Sequence, residues 1–307
     1  EFGYGVSESL KPSMVFYPLF PWLIRAVSYV TQEYVFSAFI VATLASIGAV
    51  FALYKLALLE FGRDTALRSV WFLLIFPTSY FLHIPYTEGL FLSVSIGSLY
   101  FARCGRWPLA AFLGILACLT RANGLVLAPT LAVEALLQYR SSRSWENQWL
   151  LILLVPVGFV IYLAINQSAA GDALAFIQIR KDFFFISSTT PWDGLVAAFK
   201  QLMRNPADSV MGGLYEVTFI LIGLAAGIFS LFKLRVSYSV WILTNWLLIV
   251  SVTFVASVPR YTLSLFPIFF IFGMLGKDRR VLAVVSLVSI IYLSFFSSLF
   301  GRGFWAF

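Results

Sequence analysis

The sequence predicts an all-α, polytopic integral membrane protein, and three observations lead to this fold class. Hydrophobic residues make up 61% of the 307 residues and charged residues only 11%, whereas a soluble domain has about 25% charged residues. The apolar residues collect in runs long enough to cross a bilayer as helices. Basic residues concentrate in alternate loops between those runs. This composition excludes a soluble globular enzyme and a disordered chain, and it indicates that the net charge of +7 reflects topology and anionic lipid rather than nucleic-acid binding.

Ten apolar runs are candidate spanning helices. The fourth and fifth runs are short, so one long, broken helix is the alternative to two separate spans. We expect a single membrane-embedded domain over 1–307, divided into an outer interfacial segment (1–33), six helices (34–166), one long extracytoplasmic loop (167–213) and four helices (214–299). The ten runs are 34–59, 66–83, 86–102, 107–120, 124–138, 149–166, 214–232, 237–257, 261–275 and 281–299.

The distribution of Lys and Arg gives these runs an orientation. Cytoplasmic loops are enriched in basic residues, and the basic loops here follow the first, third, fifth, seventh and ninth runs. We therefore predict that loops 60–65, 103–106, 140–147, 233–235 and 276–280 face the cytoplasm. Ten spans in this alternation place both ends of the chain outside, together with loop 167–213. Within that loop, Leu195 to Met203 reads as a short amphipathic helix that lies on the membrane.

Three ionisable residues are candidates for chemistry because charged groups at membrane depth are costly and therefore often functional. Glu88, Arg121 and Arg260 each fall at the outer end of a different predicted helix. A carboxylate is a usual general base, and arginine forms bidentate contacts with phosphate. The alternative is structural, with Glu88 paired to Arg121 or Arg260 as an ion pair that holds the helices together.

The remaining polar motifs are weaker signals. His83 lies near the same outer turn as Glu88, where it is either a substrate contact or a hydrogen-bonded interfacial histidine. It is the single histidine, so a multi-histidine metal site is excluded. The chain has no Gly-rich phosphate-binding loop and no Walker motif, which disfavours ATP-driven transport by this chain alone.

The motifs occur in an order that resembles the PIG-V mannosyltransferases, which belong to the GT-C superfamily of membrane glycosyltransferases. Each motif alone is weak, but the ordered set is fairly specific and extends over nearly the whole chain. The motifs are Gly3-Tyr4-Gly5, Phe16-Tyr17-Pro18-Leu19-Phe20-Pro21, Leu23-Ile24-Arg25, Phe76-Pro77-Thr78-Ser79, Tyr86-Thr87-Glu88, Thr120-Arg121-Ala122-Asn123-Gly124, Pro259-Arg260-Tyr261 and Phe266-Pro267.

The resemblance implies an enzyme that transfers a mannose-like sugar from a polyprenyl- or dolichyl-phosphate donor to a glycan or glycolipid hydroxyl. Transfer would occur on the extracytoplasmic side with inversion, in a prokaryotic plasma membrane rather than the endoplasmic reticulum. No resident cofactor is implied, and the need for a divalent metal is left open. Within this frame, Glu88 acts as base or orients the acceptor, while Arg121 and Arg260 hold the phosphate. The further expected substrate contacts are Tyr86, Tyr261, His83, Asn123, Pro18 and Phe20, the last two at the lipid entrance.

One departure from the family pattern keeps other functions open. The family has a Trp-Asp pair in its first outer loop, and we expect that pair to precede Glu1, after one further spanning helix. A transporter or flippase of a lipid-linked or amphipathic substrate is the main alternative, although transporters often contain internal repeats and no fixed-period repeat is present here. A non-catalytic scaffold subunit is the third possibility.

Overall fold

The computed structural model of the protein describes residues 13–204 and 210–306. Within these ranges the chain forms fourteen α-helices and no β-strand, apart from an isolated antiparallel bridge between Ser188 and Val252. The predicted all-α membrane fold is therefore confirmed. The helices are α1 (Leu19–Thr31), α2 (Tyr34–Phe61), α3 (Arg63–Leu74), α4 (Glu88–Arg103), α5 (Trp107–Cys118), α6 (Leu127–Ser142), α7 (Val157–Ala170), α8 (Ala175–Phe184), α9 (Pro191–Leu202), α10 (Tyr215–Lys233), α11 (Val236–Val250), α12 (Val258–Tyr261), α13 (Pro267–Leu275) and α14 (Arg279–Gly301).

Several helix ends follow directly from local sequence. The carboxylate of Glu33 accepts hydrogen bonds from two backbone N–H groups at the start of α2, and Thr190 and Asp278 cap α9 and α14 in the same way. These side chains satisfy N–H groups that have no partner within the helix. The residue before a proline avoids the helical conformation, which accounts for the end of α3 just before Phe76-Pro77.

In the part of the chain that the structure describes, four helical segments are long and apolar enough to cross a membrane, or five if one bent pair is a single span. The bent pair is Val258–Ser264 followed by Pro267–Leu275, with an angle of 86° between its halves. The other expected spans are shorter or broken helices, so the count of ten crossings remains a prediction. The four long segments are Tyr34–Phe61, Asn147–Ala170, Gly212–Lys233 and Arg279–Gly301.

Helix α4 lies at the centre of the bundle. It packs against α2, α5 and α6, and most of its residues are buried, including Glu88 at its first position. In contrast, only Phe296 is buried on α14, which lies at the periphery of the bundle. A helix that is buried on all sides holds its terminal side chains in fixed places. The start of α4 is therefore a rigid position for a functional group.

A network of ion pairs lies at the other end of α4. Arg103 donates to Glu60 at 2.5 Å and lies 3.4 Å from Glu134. Arg235 donates to both oxygens of Glu134, at 2.7 and 3.0 Å, and Tyr238 donates to Glu60 at 2.8 Å. This inner network (Glu60, Arg103, Glu134, Arg235 and Tyr238) ties α2, α4, α6 and α11 together.

The long loop predicted at 167–213 contains the helices α8 and α9. The expected amphipathic helix is present, but it begins at Pro191 rather than Leu195 because Thr190 caps it there. Its small residues Gly194 and Ala198 are buried, while Trp192 is 73% exposed. Predictions that concern residues 1–12, including Gly3-Tyr4-Gly5, and 205–209 lie outside the described residues.

Candidate active site

Three breaks in the helices bring the candidate charged residues to one place. Glu88 is the first residue of α4, Arg121 directly precedes a 3-10 turn over Ala122–Val126, and Arg260 lies in the short helix α12. Each break leaves backbone polar groups that a continuous helix would satisfy internally. Such breaks within an apolar bundle are typical of substrate sites in membrane proteins.

Both guanidinium groups contact the same carboxylate oxygen. Arg121 Nη2 lies 2.5 Å from Glu88 Oε1, and Arg260 Nε lies 3.2 Å from the same atom. The Glu88 side chain is only 1% exposed, whereas each arginine side chain is 17% exposed. We name this group of three residues the outer charge cluster. Its carboxylate is therefore more deeply buried than the two arginines that contact it.

Aromatic and hydroxyl groups surround the two arginines. The Arg260 guanidinium lies 4.9 Å from the ring centre of Tyr261, 5.3 Å from that of Phe81 and 5.7 Å from that of Tyr86. Cations over aromatic faces are stabilised electrostatically. In addition, Arg260 donates to the Tyr261 hydroxyl at 3.1 Å. The predicted neighbours Tyr86 and Tyr261 are therefore both part of the outer charge cluster's surroundings.

Arg121 has its own set of partners. Its Nε donates to Thr87 Oγ1 at 3.0 Å, and its guanidinium lies 5.7 Å from the ring centre of Tyr261 and 5.9 Å from that of Phe91. Tyr261 therefore contacts both guanidiniums. An arginine held by several partners keeps a fixed orientation, as recognition of a planar or tetrahedral anion requires.

Two buried polar atoms in the cluster have no hydrogen-bond partner among the described residues. They are Glu88 Oε2 and Arg260 Nε, the latter close to Glu88 without hydrogen-bond geometry. Buried polar groups are normally hydrogen-bonded, and an exception calls for an explanation. A substrate with both acceptor oxygens and a hydroxyl group would satisfy the two atoms.

The structure brings Asn123, Pro18 and Phe20 next to the Arg121 turn. Asn123 donates to Asn245 on α11 at 2.8 Å, which fixes the turn to the bundle. The N–H of Leu19 donates to the carbonyl of Leu119 at 3.1 Å, so the buried Pro18 and Phe20 lie at the end of α5. These two residues are thus close in the fold to the residues before Arg121.

The structure does not bring His83 into the cluster. Its side chain is exposed, and within the described ranges no hydrogen bond or ion pair joins it to Glu88, Arg121 or Arg260. The 3-10 turn Ser79–Leu82 buries its own side chains and ends just before His83, which therefore turns outward. The prediction that His83 contacts substrate has no support from this geometry.

Sequence reasoning missed two residues that hold the segment around Arg260. Glu216 on α10 is fully buried and accepts hydrogen bonds from the N–H groups of Ser257 and Val258, both at 2.7 Å. Thr78 donates to the carbonyl of Pro259 at 2.9 Å. A carboxylate within an apolar run is a signal for Glu216, but its partners lie far away along the chain. Thr78 belongs to the motif Phe76-Pro77-Thr78-Ser79, but the sequence does not indicate its contact with Pro259.

The described residues contain no group of three His, Cys, Asp or Glu side chains placed to hold a metal ion. The cluster's own chemistry is that of one carboxylate and two guanidiniums. This set matches proton transfer and recognition of a phosphate group.

Comparison with known proteins tests the family. No curated protein and no solved structure matches the chain significantly. The family model of dolichyl-phosphate-mannose-protein mannosyltransferases matches residues 11–165, half of the chain, and this range includes Glu88 and Arg121. The expected GT-C mannosyltransferase family is thereby confirmed, though not its PIG-V branch. The chain belongs to the dolichyl-phosphate-mannose-protein mannosyltransferase family, whose GT-C-type members are glycosyltransferases dependent on polyprenyl-phosphate mannose.

Proposed function

We propose that this chain transfers a mannose-like sugar from a polyprenyl-phosphate donor to a hydroxyl of a glycan or glycolipid, on the extracytoplasmic side and with inversion. One observation carries the proposal: in a chain of this family, Glu88, Arg121 and Arg260 form a single cluster at one end of the bundle. The ordered motifs described above favour an enzyme of the PIG-V type. The proposed membrane is a prokaryotic plasma membrane.

The charge of the cluster supports a phosphate donor. Two guanidiniums and one carboxylate leave a formal charge of +1, which complements an anionic phosphodiester. As the bond between the sugar and the phosphate breaks, negative charge grows on the departing lipid phosphate. The exposed sides of Arg121 and Arg260 would stabilise that charge in the transition state.

The free oxygen of Glu88 supports its role as the base. Oε1 takes both arginine contacts, while Oε2 has no hydrogen-bond partner in the part of the chain that the structure describes. Oε2 would accept the proton of the acceptor hydroxyl while the hydroxyl oxygen attacks the anomeric carbon of the donor sugar. A single displacement of this kind inverts the configuration at that carbon.

The basic loops support the proposed side of the membrane. Arg103 and Arg235 lie in the inner network, at the opposite end of α4 from Glu88. If basic residues mark the cytoplasmic side, the outer charge cluster faces the other side. Donor and acceptor would then both reach the cluster from the outer leaflet.

The test is transfer of labelled mannose from polyprenyl-phosphate-mannose by membranes that contain the full protein. We expect Glu88→Gln to lower kcat by at least about 100-fold, since general-base catalysis contributes roughly 10²–10⁴-fold. Arg260→Lys and Arg121→Lys keep the charge but lose the planar fork. Each should raise the KM for the donor by about tenfold, equivalent to about 1.4 kcal/mol.

Arg235→Lys is the matched control, because Arg235 makes a two-pronged contact with Glu134 in the inner network. It should leave the donor KM unchanged. If the wild-type protein transfers sugar and the three cluster variants retain full activity, the cluster is structural and the proposed mechanism is wrong. If the wild-type protein transports a lipid-linked sugar without transfer, the enzymatic function itself is wrong.

A further inference from the structure

We propose that Glu216 is a positioning residue for Arg260: it fixes the backbone of the segment that carries this arginine and thereby sets the affinity for the lipid-phosphate donor. Glu216 lies in α10, far along the chain from Arg260, and its side chain is fully buried. Both of its oxygens are used, since Oε1 accepts from Ser257 N–H and Oε2 from Val258 N–H at 2.7 Å each. The inference rests on the proposed function of the outer charge cluster.

The segment before Arg260 needs an external anchor. Helix α12 has only four residues, from Val258 to Tyr261, and its second residue is Pro259, which has no N–H group. A helix of one turn has little stability of its own. The two N–H groups that Glu216 binds lie directly at the start of this helix, and their capture holds the first turn in place.

Ser257 shows that the backbone is held in an unfavourable shape. It has φ of +63°, in the left-handed region that non-glycine residues seldom adopt. Such a conformation persists where surrounding contacts determine it. The hydrogen bond from Ser257 N–H to Glu216 is one of these contacts, and Thr78, which donates to the Pro259 carbonyl at 2.9 Å, holds the turn from another side.

Glu216 also lies near the neighbouring arginine. It is close enough to Arg260 to interact with it electrostatically. Arg260 therefore has two carboxylates in its surroundings: Glu88 within the outer charge cluster and Glu216, which binds the backbone before it. The first contacts the guanidinium directly at 3.2 Å, while the second fixes the main chain from which that side chain projects. A small displacement of a substrate-binding group can lower the reaction rate strongly.

Glu216→Gln tests this role, because glutamine has one acceptor oxygen where glutamate has two. One of the two backbone N–H groups loses its acceptor and meets an NH₂ group instead. We expect the KM for polyprenyl-phosphate-mannose to rise by about tenfold, equivalent to about 1.4 kcal/mol, with a smaller change in kcat. Binding of polyprenyl phosphate alone to the purified protein should weaken to the same extent.

Glu134→Gln is the matched control. Glu134 is also a fully buried carboxylate in a helix, but it belongs to the inner network. It should leave the donor KM and polyprenyl phosphate binding unchanged. In an Arg260→Lys background, Glu216→Gln should add less than twofold to the KM, because residues that act through one another are not additive. Full additivity would overturn the proposal.

The outcomes separate this inference from the proposed function. If the wild-type protein transfers sugar and Glu216→Gln changes only the thermal stability or the amount of active protein, Glu216 is merely structural. If Glu216→Gln does not fold, Glu216→Asp replaces it: the charge is kept, but the acceptor oxygens are withdrawn by one methylene, and the donor KM should still rise. An unchanged KM in that variant overturns the inference. If the wild-type protein neither transfers sugar nor binds polyprenyl phosphate, the proposed function fails first.

Discussion

Gly124 lies where the turn that carries Arg121 crosses the end of α5. A Cβ atom at this position would lie 2.4 Å from the backbone nitrogen of Cys118 and 2.6 Å from the carbonyl oxygen of Ala117. Backbone atoms of a packed helix cannot move aside as the end of a flexible side chain can. The glycine therefore allows the turn to approach α5, and this approach places Arg121 beside Glu88.

Gly124→Ala should displace the 3-10 turn Ala122–Val126 and move Arg121 away from Glu88. We expect a loss of stability of about 1–3 kcal/mol, as for other overpacked sites, and a rise in the donor KM. Thermal unfolding in detergent and donor kinetics measure the two effects. Gly301→Ala is the control, because an added Cβ there has no atom within 4 Å. Equal effects of the two substitutions would show that the close approach at Gly124 is unimportant.

At the scale of single elements, helix α4 has charged residues at both ends. The two ends differ in how completely their polar atoms are hydrogen-bonded. It runs from Glu88 to Arg103, sixteen residues, and thus spans about 24 Å at 1.5 Å per residue. At its start, a polar atom of Glu88 has no partner among the described residues, whereas at its end Glu134 receives hydrogen bonds from Arg235, Ser237 and Gln138. A fully satisfied network makes a fold rigid, while a buried polar atom without a partner calls for an explanation such as a catalytic role.

Glu134→Gln should therefore destabilise the protein rather than impair its chemistry. Removing one partner of a buried ion pair leaves the other charge uncompensated and costs about 3 kcal/mol or more. Arg235 and Arg103 would lose that partner, although both are partly exposed and water reduces the loss. Unfolding in denaturant should show the lower free energy of unfolding. A variant as stable as the wild type would mean that the inner network contributes nothing.

At the scale of the whole molecule, the sequence predicted the fold class and the three charged residues that meet. Those residues were predictable because an ionisable group in an apolar chain must be compensated, and because each one lies at the same side of the predicted bundle. Their common contact at Glu88 Oε1 was not predictable, since it depends on how three helix ends pack.

The same physical limit explains what the sequence did not predict. Glu216 binds backbone N–H groups of a segment that is distant along the chain, and no sequence pattern indicates that pairing. His83 is close to Glu88 along the chain, but a short 3-10 turn directs it outward. Two expected spans, 66–83 and 261–275, are broken in the structure near Pro77 and Pro267.

The orientation of the whole molecule can be tested with its own thiols. Cys104 is exposed in the basic loop between α4 and α5, while Cys118 is buried. If basic loops face the cytoplasm, a membrane-impermeant maleimide should not label the wild-type protein in sealed cells. It should label the protein after permeabilisation, and Cys104→Ser should abolish that labelling.

Ala170→Cys, placed in the Cys104→Ser background at the exposed end of α7, should be labelled in sealed cells. Labelling of Cys104 from outside would show that the orientation is opposite to the one proposed. The outer charge cluster would then lie on the cytoplasmic face, which excludes an extracytoplasmic donor site.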